Sequence, residues 1–327
     1  MPIRDIVKRN SFLTALNHVR NADSHRLFLF AAVMAIFLTP GLSWACACGC
    51  AVFDVGTRSI LPTSQGGLAF LEYNFMDQNK TWSAGSRASA DSNRDKEIRT
   101  DFFTAGCQYM FNREWGILLE VPYWKRTFDK TDDNGDLVRS RNSSFGDIRI
   151  KAVYSGFSPA MSSGVSIGVK LATGETDCPG FDRDTDIGSG STDALFGAFM
   201  RGHLPVGRNL DWFVNGQLDV PVIMSGDYRP GSDLNAIAGI HHTGVRVGGA
   251  RIVPVAQAIF SHHWQDSGSN SDPDNSGYDT ILLSPGAELD MAGFKIYADA
   301  GFPVYQYVNG TQLVAPVLFT VRLSHSF

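Results

Sequence analysis

The chain has 327 residues, a formal net charge of −5 and only 19% charged residues. Proteins that bind nucleic acids normally carry a basic stripe or patch, so this composition argues against a nucleic-acid partner. The near-neutral mean hydropathy excludes a bundle of transmembrane helices, whereas 33 glycines and 11% aromatic residues suit many strands joined by turns.

The N-terminal region has the pattern of a secretory signal peptide. Residues 1–26 carry five basic and two acidic side chains, and the apolar stretch Leu27–Leu38 follows. That stretch is shorter than the roughly 20 residues that span a bilayer, which argues against the alternative of an uncleaved anchor. Small residues then offer cleavage after Ala45 or Ala47. We therefore predict an exported protein with a signal peptide over 1–45.

Three cysteines alternate directly after the predicted cleavage point, at Cys46, Cys48 and Cys50. Alternating thiols lie on one side of an extended segment, and thiolates suit soft ions such as Cu(I) or Zn(II). This pattern predicts a metal site with copper or zinc as the cofactor, in a periplasmic segment over 46–65. The alternatives are disulfides in an oxidising compartment and partial removal together with the signal peptide.

After residue 65 the chain consists of extended segments, many of which alternate apolar with polar or small side chains. Alternation with a period of two indicates strands that have one apolar face. We predict strands at 67–77, 98–111, 115–127, 144–157, 163–173, 191–204, 211–224, 233–247, 251–264, 278–291, 293–304 and 312–327.

The connections between these strands alternate strictly between short and long. Short turns are expected around Asn112, Pro159, Val206, Gly249 and Ala292. Longer connections rich in Asp, Ser, Asn and Gly are expected at 78–97, 128–143, 174–190, 225–232, 265–277 and 305–311. A soluble sandwich has no reason to sort its loops in this way, because both of its ends face water.

Loop sorting of this kind is typical of a membrane barrel, which has short periplasmic turns, long extracellular loops and an even number of strands. The sequence therefore predicts an all-β fold over 66–327, a transmembrane antiparallel up-and-down β-barrel of about twelve strands in the outer membrane. Asp132 and Asp182 should lie outside the cell and Gly249 in the periplasm. The expected partners are outer-membrane lipid, a small-molecule solute and the barrel-assembly machinery, which would read the strand ending at Phe327.

In a membrane barrel the apolar face of each strand meets lipid and the polar face lines the lumen. In the last predicted strand this alternation places Leu313 and Ala315 toward lipid and Gln312 toward the lumen. The same parity predicts a lumen lined by Glu72, Glu120, Asp147, Arg149, Lys151, Lys170, Asp193, Arg201, Asp219, Glu288, Lys295, Asp299 and Arg322. Such a set either lines a polar pore or closes it with ion pairs. The predicted barrel size is compatible with both possibilities. Side chains can fill the interior of an eight-stranded barrel, whereas a barrel of about 16 strands leaves an aqueous channel.

Three central stretches resemble a known family. Ser144–Tyr154 contains a Gly-Asp strand motif, Gly168–Glu175 resembles a strand ending in Pro-Thr-Gly with Ala172 in place of proline, and Gly188–Asp193 resembles the start of the next strand. Their sequence and spacing are similar to transporter-like outer-membrane proteins of the MetA-pathway of phenol degradation family. The resemblance implies a barrel for uptake of small and aromatic molecules, and it supplies no catalytic residues.

Two histidine pairs, His241–His242 and His262–His263, invite a metal interpretation. Adjacent residues of a strand point to opposite faces, so neither pair can chelate an ion as a pair. Folding back about Gly249 would also place His241 opposite a residue near 257 and not opposite His262. We therefore expect these histidines at the membrane interface or in the lumen.

The functional hypothesis is passive transport of small solutes, including aromatic or hydrophobic ones, through the barrel. The alternative is a periplasm-facing metal-binding or electron-transfer accessory that the barrel anchors and that uses the segment Cys46–Cys50. A third class, an outer-membrane hydrolase, would need a nucleophile facing a base. The sequence contains no Ser-His-Asp order or paired-carboxylate signature that stands above chance, so we predict no enzymatic activity.

Overall fold

The computed structural model describes residues 61–205, 209–224 and 226–327. The predicted signal peptide and the three N-terminal cysteines lie outside these described residues. Within them the strands, in chain order, are β1 (Gly66–Gln78), β2 (Lys80–Ala84), β3 (Ser86–Arg87), β4 (Asp95–Met110), β5 (Trp115–Thr131), β6 (Leu137–Phe145), β7 (Arg149–Tyr154), β8 (Ser163–Lys170), β9 (Ser191–His203), β10 (Leu210–Met224), β11 (Asp233–His242), β12 (Val245–Val247), β13 (Ala250–His263), β14 (Tyr278–Met291), β15 (Phe294–Val314) and β16 (Leu318–Ser326).

Twelve of these strands close into an antiparallel barrel, in the order β1, β4, β5, β7, β8, β9, β10, β11, β13, β14, β15 and β16. The first and last strands complete it, with Leu68 opposite Ser326 and Met76 opposite Leu318. Closure pairs the backbone groups of each wall strand with those of its neighbours, as a bilayer interior requires. The predicted fold class and strand number are confirmed.

The predicted single strand at 144–157 is wrong, because the chain breaks there into two strands. β6 pairs with β5 beyond the barrel wall, and β7 pairs with the first part of β5 within it. Between them, the carboxylate of Asp147 accepts hydrogen bonds from the backbone N–H groups of Gly174 and Ser189, each at 2.9 Å. These contacts hold the connecting residues away from the regular ladder.

The predicted loop at 305–311 contains the chain reversal but is shorter than predicted, because β15 pairs with β14 as far as Val308. The chain reverses at Gly310, where φ is +57°, and Thr311–Val314 then pair with β2. Leu313 and Ala315, which parity assigned to the lipid face, are instead buried. Apolar residues of β4 and β5 cover Leu313, so the alternation between lipid and lumen no longer applies at this end of the barrel.

The outer surface of the wall is apolar. Outward-facing side chains such as Leu71, Ile167 and Val304 are about 60% exposed, at 62%, 60% and 58%. Aromatic side chains mark both ends of this apolar band. Contacting pairs are Tyr109–Phe111, Trp115–Tyr154 and Tyr154–Phe157 near the short turns, and Tyr73–Phe103 and Tyr123–Phe145 near the long loops. An apolar band between aromatic girdles is the lipid-facing surface of a membrane barrel.

Candidate functional site

The interior of the barrel is layered. Along β1 the inward side chains are Phe70, then Glu72 and Asn74, then Met76, so a polar band separates two apolar levels. The lower apolar cluster, at the end with the short turns, comprises Phe70, Leu118, Val153, Phe199, Phe213, Ile237, Val253, Val255, Tyr297 and Leu61. The upper apolar cluster, toward the long loops, comprises Met76, Phe102, Leu282, Ala315 and Leu318, with Trp124 and Ile259 packed against it. Ile259 packs against the lower cluster as well. A solute in the lumen would therefore meet apolar, polar and apolar surfaces in turn.

Within the polar band, charged groups are paired between neighbouring wall strands. The ion pairs are Lys170–Asp193 at 2.5 Å, Lys151–Glu120 at 2.9 Å and Arg322–Glu72. Glu288 pairs at 3.8 Å with Lys295, which lies lower and lines the cavity at the end with the short turns. These side chains are buried or nearly so, apart from the partly exposed Lys295. Placing an unpaired charge in such surroundings costs several kcal/mol, so opposite charges on adjacent strands are required for this interior to be stable.

Two further contacts run through the interior and not along the wall. Arg149 Nη1 lies 3.0 Å from Asp219 Oδ2, and Lys151 Nζ donates a hydrogen bond to Gln217 Oε1 at 2.9 Å. The contact between Arg149 and Asp219 is electrostatic, because these two atoms are not aligned for a hydrogen bond. Both contacts join β7 to β10, which β8 and β9 separate on the wall. They therefore cross part of the lumen and narrow it.

The remaining predicted lumen residues lie at different heights. Asp299 accepts hydrogen bonds from the hydroxyl of Tyr297 at 2.6 Å and from Gln257 Nε2 at 2.9 Å, beside the lower apolar cluster. Asp147 lies beyond the start of β7, near the long loops. Arg201 lies at the opposite end, where its guanidinium donates to the carbonyl of Met161 at 3.1 Å.

The connection over 171–190, here called the mouth loop, packs at the end of the barrel that carries the long connections. Arg126 is buried and donates from Nη1 to the carbonyls of Thr185 at 2.6 Å and Asp186 at 3.0 Å. Ile187 is also buried. Arg126 was not among the predicted lumen residues, although it has the same strand parity as Glu120, and that parity was the available signal.

Electrostatics within the mouth loop follow from this packing. Burial, and then the carboxylates of Asp266 and Asp95, raise the pKa of Asp184 to about 7. Burial, and then the carboxylate of Asp186, raise the pKa of the Cys178 thiol to about 11. A carboxyl group that titrates near neutral pH makes the packing of this loop sensitive to pH.

The opposite end of the barrel has a cavity of about 590 Å³. The segment before β1 borders it, and Leu61 packs against the lower apolar cluster. The other polar lining residues include Gln108, Arg201, Asp211 and His241. The described chain thus places polypeptide at both ends of the lumen, the mouth loop at one and residues near Leu61 at the other.

The histidines do not come together. His241 lies opposite Val255, close to the expected register, while His263 lies between Asp233 at 2.5 Å and Asp266 at 3.2 Å. Among the residues that the structure describes, no group of three or more His, Cys, Asp or Glu side chains is arranged to hold a metal ion. The metal site predicted at the N-terminal cysteines lies outside that part of the chain and stays a prediction.

Several solved structures are similar to this chain. The crystal structure of an outer membrane channel from Pseudomonas putida F1 matches with a TM-score of 0.64 and 13% identity, over 84% of this chain and 100% of that one. The β domain of the Bordetella autotransporter BrkA matches with a TM-score of 0.47 and 13% identity, over 80% of this chain and 100% of that one. The CymD monoaromatic hydrocarbon channel matches with a TM-score of 0.39 and 9% identity, over 88% of this chain and 95% of that one.

Similarity at this level of identity concerns the fold. No protein-family model matches the chain, and no curated protein matches it. No helix in the described part of the chain is long and apolar enough to cross a membrane. The apolar exterior, the closed twelve-stranded wall and the likeness to a solved channel identify the chain as an outer-membrane β-barrel, as the resemblance in its central stretches implied.

Proposed function

We propose that this barrel is a passive outer-membrane channel for small solutes, including aromatic or hydrophobic ones. The observation that carries the proposal is the layered lumen, in which a polar band lies between two apolar clusters inside a closed wall. An aromatic solute with one polar substituent matches such a path, because its ring can contact Phe70 or Phe213 while its substituent bonds within the polar band. The solved structure with the TM-score of 0.64 is itself named an outer membrane channel.

A pair of polar side chains in the band supports this choice of solute. Asn235 on β11 and Ser261 on β13 lie directly opposite each other in register, and both are buried. The two amide atoms of Asn235 and the hydroxyl of Ser261 find no hydrogen-bond partner among the described residues. Buried polar atoms normally have partners, so these groups are suited to exchange hydrogen bonds with a passing hydroxyl or carboxylate.

Passage requires the contacts across the lumen to separate. Arg149–Asp219 and Lys151–Gln217 narrow the polar band, and the mouth loop lies above it. We propose that the closed arrangement is the resting state and that thermal separation of these contacts admits solute. The proposal assigns no reaction to the barrel. The alternative of a metal-handling accessory depends on Cys46, Cys48 and Cys50 and stays a prediction.

Swelling of proteoliposomes tests the transport proposal. Vesicles that contain the purified barrel should swell faster than empty vesicles in arabinose, and faster in 4-hydroxybenzoate than in a non-aromatic acid of similar size. Asn235→Leu should reduce the preference for 4-hydroxybenzoate, whereas the outward-facing control Ala238→Leu should keep it. Swelling at the rate of empty vesicles with every solute would contradict the proposal.

A further inference from the structure

The outer face of β4, β5 and β6 carries a groove that the transport proposal does not use. Its volume is about 550 Å³, and Arg99, Lys125, Thr127 and Arg141 are among its lining residues. Register places Arg99 opposite Thr127 and Thr127 opposite Arg141, so the two guanidinium groups flank one threonine on the same face. Lys125 lies two residues nearer the barrel on β5. Three basic side chains from adjacent strands therefore converge on one surface.

These three basic side chains are exposed, and they form no ion pair with another residue in the part of the chain that the structure describes. The guanidinium carbon of Arg99 lies 5.0 Å from the ring centroid of Phe75, and Lys125 Nζ lies 5.6 Å from that of Phe103. Contacts of this kind hold a cation over a ring face but leave its N–H donors available. The N–H donors of all three cations therefore stay available to a ligand in the groove.

Neighbouring carboxylates are already occupied by other donors. Asp129 accepts two hydrogen bonds from Arg139, at 2.7 Å and 2.5 Å, and is almost fully buried beneath it. Asp101 accepts a hydrogen bond from the hydroxyl of Tyr73 at 2.7 Å. Glu97, which lines the groove together with Asp101, lies 4.0 Å from the guanidinium of Arg139. Each of these carboxylates therefore has a partner outside the three basic side chains.

The height of the groove relative to the membrane follows from the register. Directly below it, the outward row Tyr73–Phe103–Tyr123–Phe145 crosses the four strands as an aromatic girdle. Lys125 lies two residues above that row, and Arg99 and Arg141 lie four residues above it. Two residues correspond to about 7 Å along a strand. Aromatic girdles lie at the level of the lipid headgroups. The three cations therefore lie at, or just beyond, the headgroups on the side of the long loops.

We propose that this groove binds the phosphate groups of a phosphorylated glycolipid in the outer leaflet. Guanidinium and ammonium groups donate charge-assisted hydrogen bonds to phosphate oxygens, and the guanidinium fork matches two oxygens at once. The acyl chains of such a lipid would lie along the aromatic row and the apolar wall beneath it. Because the groove faces away from the lumen, this binding is independent of solute passage.

Native mass spectrometry of the purified full barrel with diphosphorylated lipid A tests the proposal. The protein should retain the lipid, and Lys125→Gln/Arg141→Gln should bind it at least about tenfold more weakly. Arg113→Gln/Arg246→Gln, which removes two exposed arginines at the opposite rim, should bind it as the wild type does. Dephosphorylated lipid A should bind the wild type no better than it binds Lys125→Gln/Arg141→Gln.

Three results would overturn the proposal. In the first, both double variants bind lipid A equally well. In the second, the wild type binds phosphorylated and dephosphorylated lipid A equally well. In the third, millimolar inorganic phosphate displaces lipid A, which would indicate a simple anion site. Heat-modifiable migration in gels confirms that each variant is folded. If Lys125→Gln/Arg141→Gln does not fold, Lys125→Gln alone should still weaken binding, and unchanged binding by that variant would equally overturn the proposal.

Discussion

Replacing Lys170 by methionine should destabilise the barrel by about 3–5 kcal/mol, the usual cost of removing one partner of a buried ion pair. Lys170 Nζ lies 2.5 Å from Asp193, and the two side chains are 10% and 2% exposed. The hydroxyl of Ser191 also donates to this carboxylate at 2.6 Å, but a neutral donor does not replace the ammonium charge. Lys170→Met therefore leaves this carboxylate buried without its ammonium partner, and the guanidinium of Arg149, opposite Lys170 in register, is already in contact with Asp219.

Urea unfolding in detergent micelles, followed by tryptophan fluorescence, measures this loss. The double variant Lys170→Met/Asp193→Leu removes both charges and should recover most of the stability, because an apolar pair of similar volume often equals a buried ion pair. Arg94→Met breaks the exposed pair with Asp133 and should leave the midpoint unchanged. A loss below about 1 kcal/mol for Lys170→Met, or a double variant as unstable as the single one, would refute the reasoning.

Three further predictions concern the ends of the barrel. Burial and the carboxylate of Asp266 raise the pKa of Asp184 to about 7, so the neutral form of this side chain favours the packed mouth loop. Its stabilisation of the packed loop is complete below about pH 4 and is lost as the pH rises through about 7. Hydrogen exchange in 171–190, corrected for the intrinsic rate, should be faster at pH 8 than at pH 5, and Asp184→Asn should abolish the difference; an unchanged difference in that variant would contradict the assignment. Cysteine labelling of whole cells should reach position 182 and not position 249, and the reverse pattern would contradict the predicted orientation. Phe327 exchanges two backbone hydrogen bonds with Gly67, at 2.7 Å and 2.8 Å, so deleting His325–Phe327 should sharply lower the amount of assembled barrel, and normal heat-modifiable migration of the truncated chain would contradict this.

Alternation in the sequence was sufficient to predict the wall strands. Along β10, for example, Asn215, Gln217 and Asp219 alternate with apolar or small residues, and a period of two indicates a strand with one apolar face. The same parity assigned Lys170 and Asp193 to one face, and the structure places them in contact. Local pattern carried this information because wall strands that follow one another along the chain are also neighbours in the barrel, even where the mouth loop joins them.

Contacts between distant strands could not be predicted in this way. The approach of Arg149 to Asp219 depends on the curvature of the closed wall across β8 and β9, which no local pattern encodes. The break at Asp147 has a similar origin, since its partners Gly174 and Ser189 lie 27 and 42 residues further along the chain. The role of Arg126 required knowing that the mouth loop packs against the end of the barrel.

Single-channel recording in planar bilayers tests the central claim most directly. Wild-type barrels should give small, brief conductance steps, because Arg149–Asp219 and Lys151–Gln217 narrow the lumen at rest. The variant Arg149→Ala/Lys151→Ala removes both contacts, and its steps should be larger and longer, whereas the exposed control Arg94→Ala should behave as the wild type does. The account would be contradicted if neither the wild type nor Arg149→Ala/Lys151→Ala gave conductance steps although heat-modifiable migration showed that both barrels were folded.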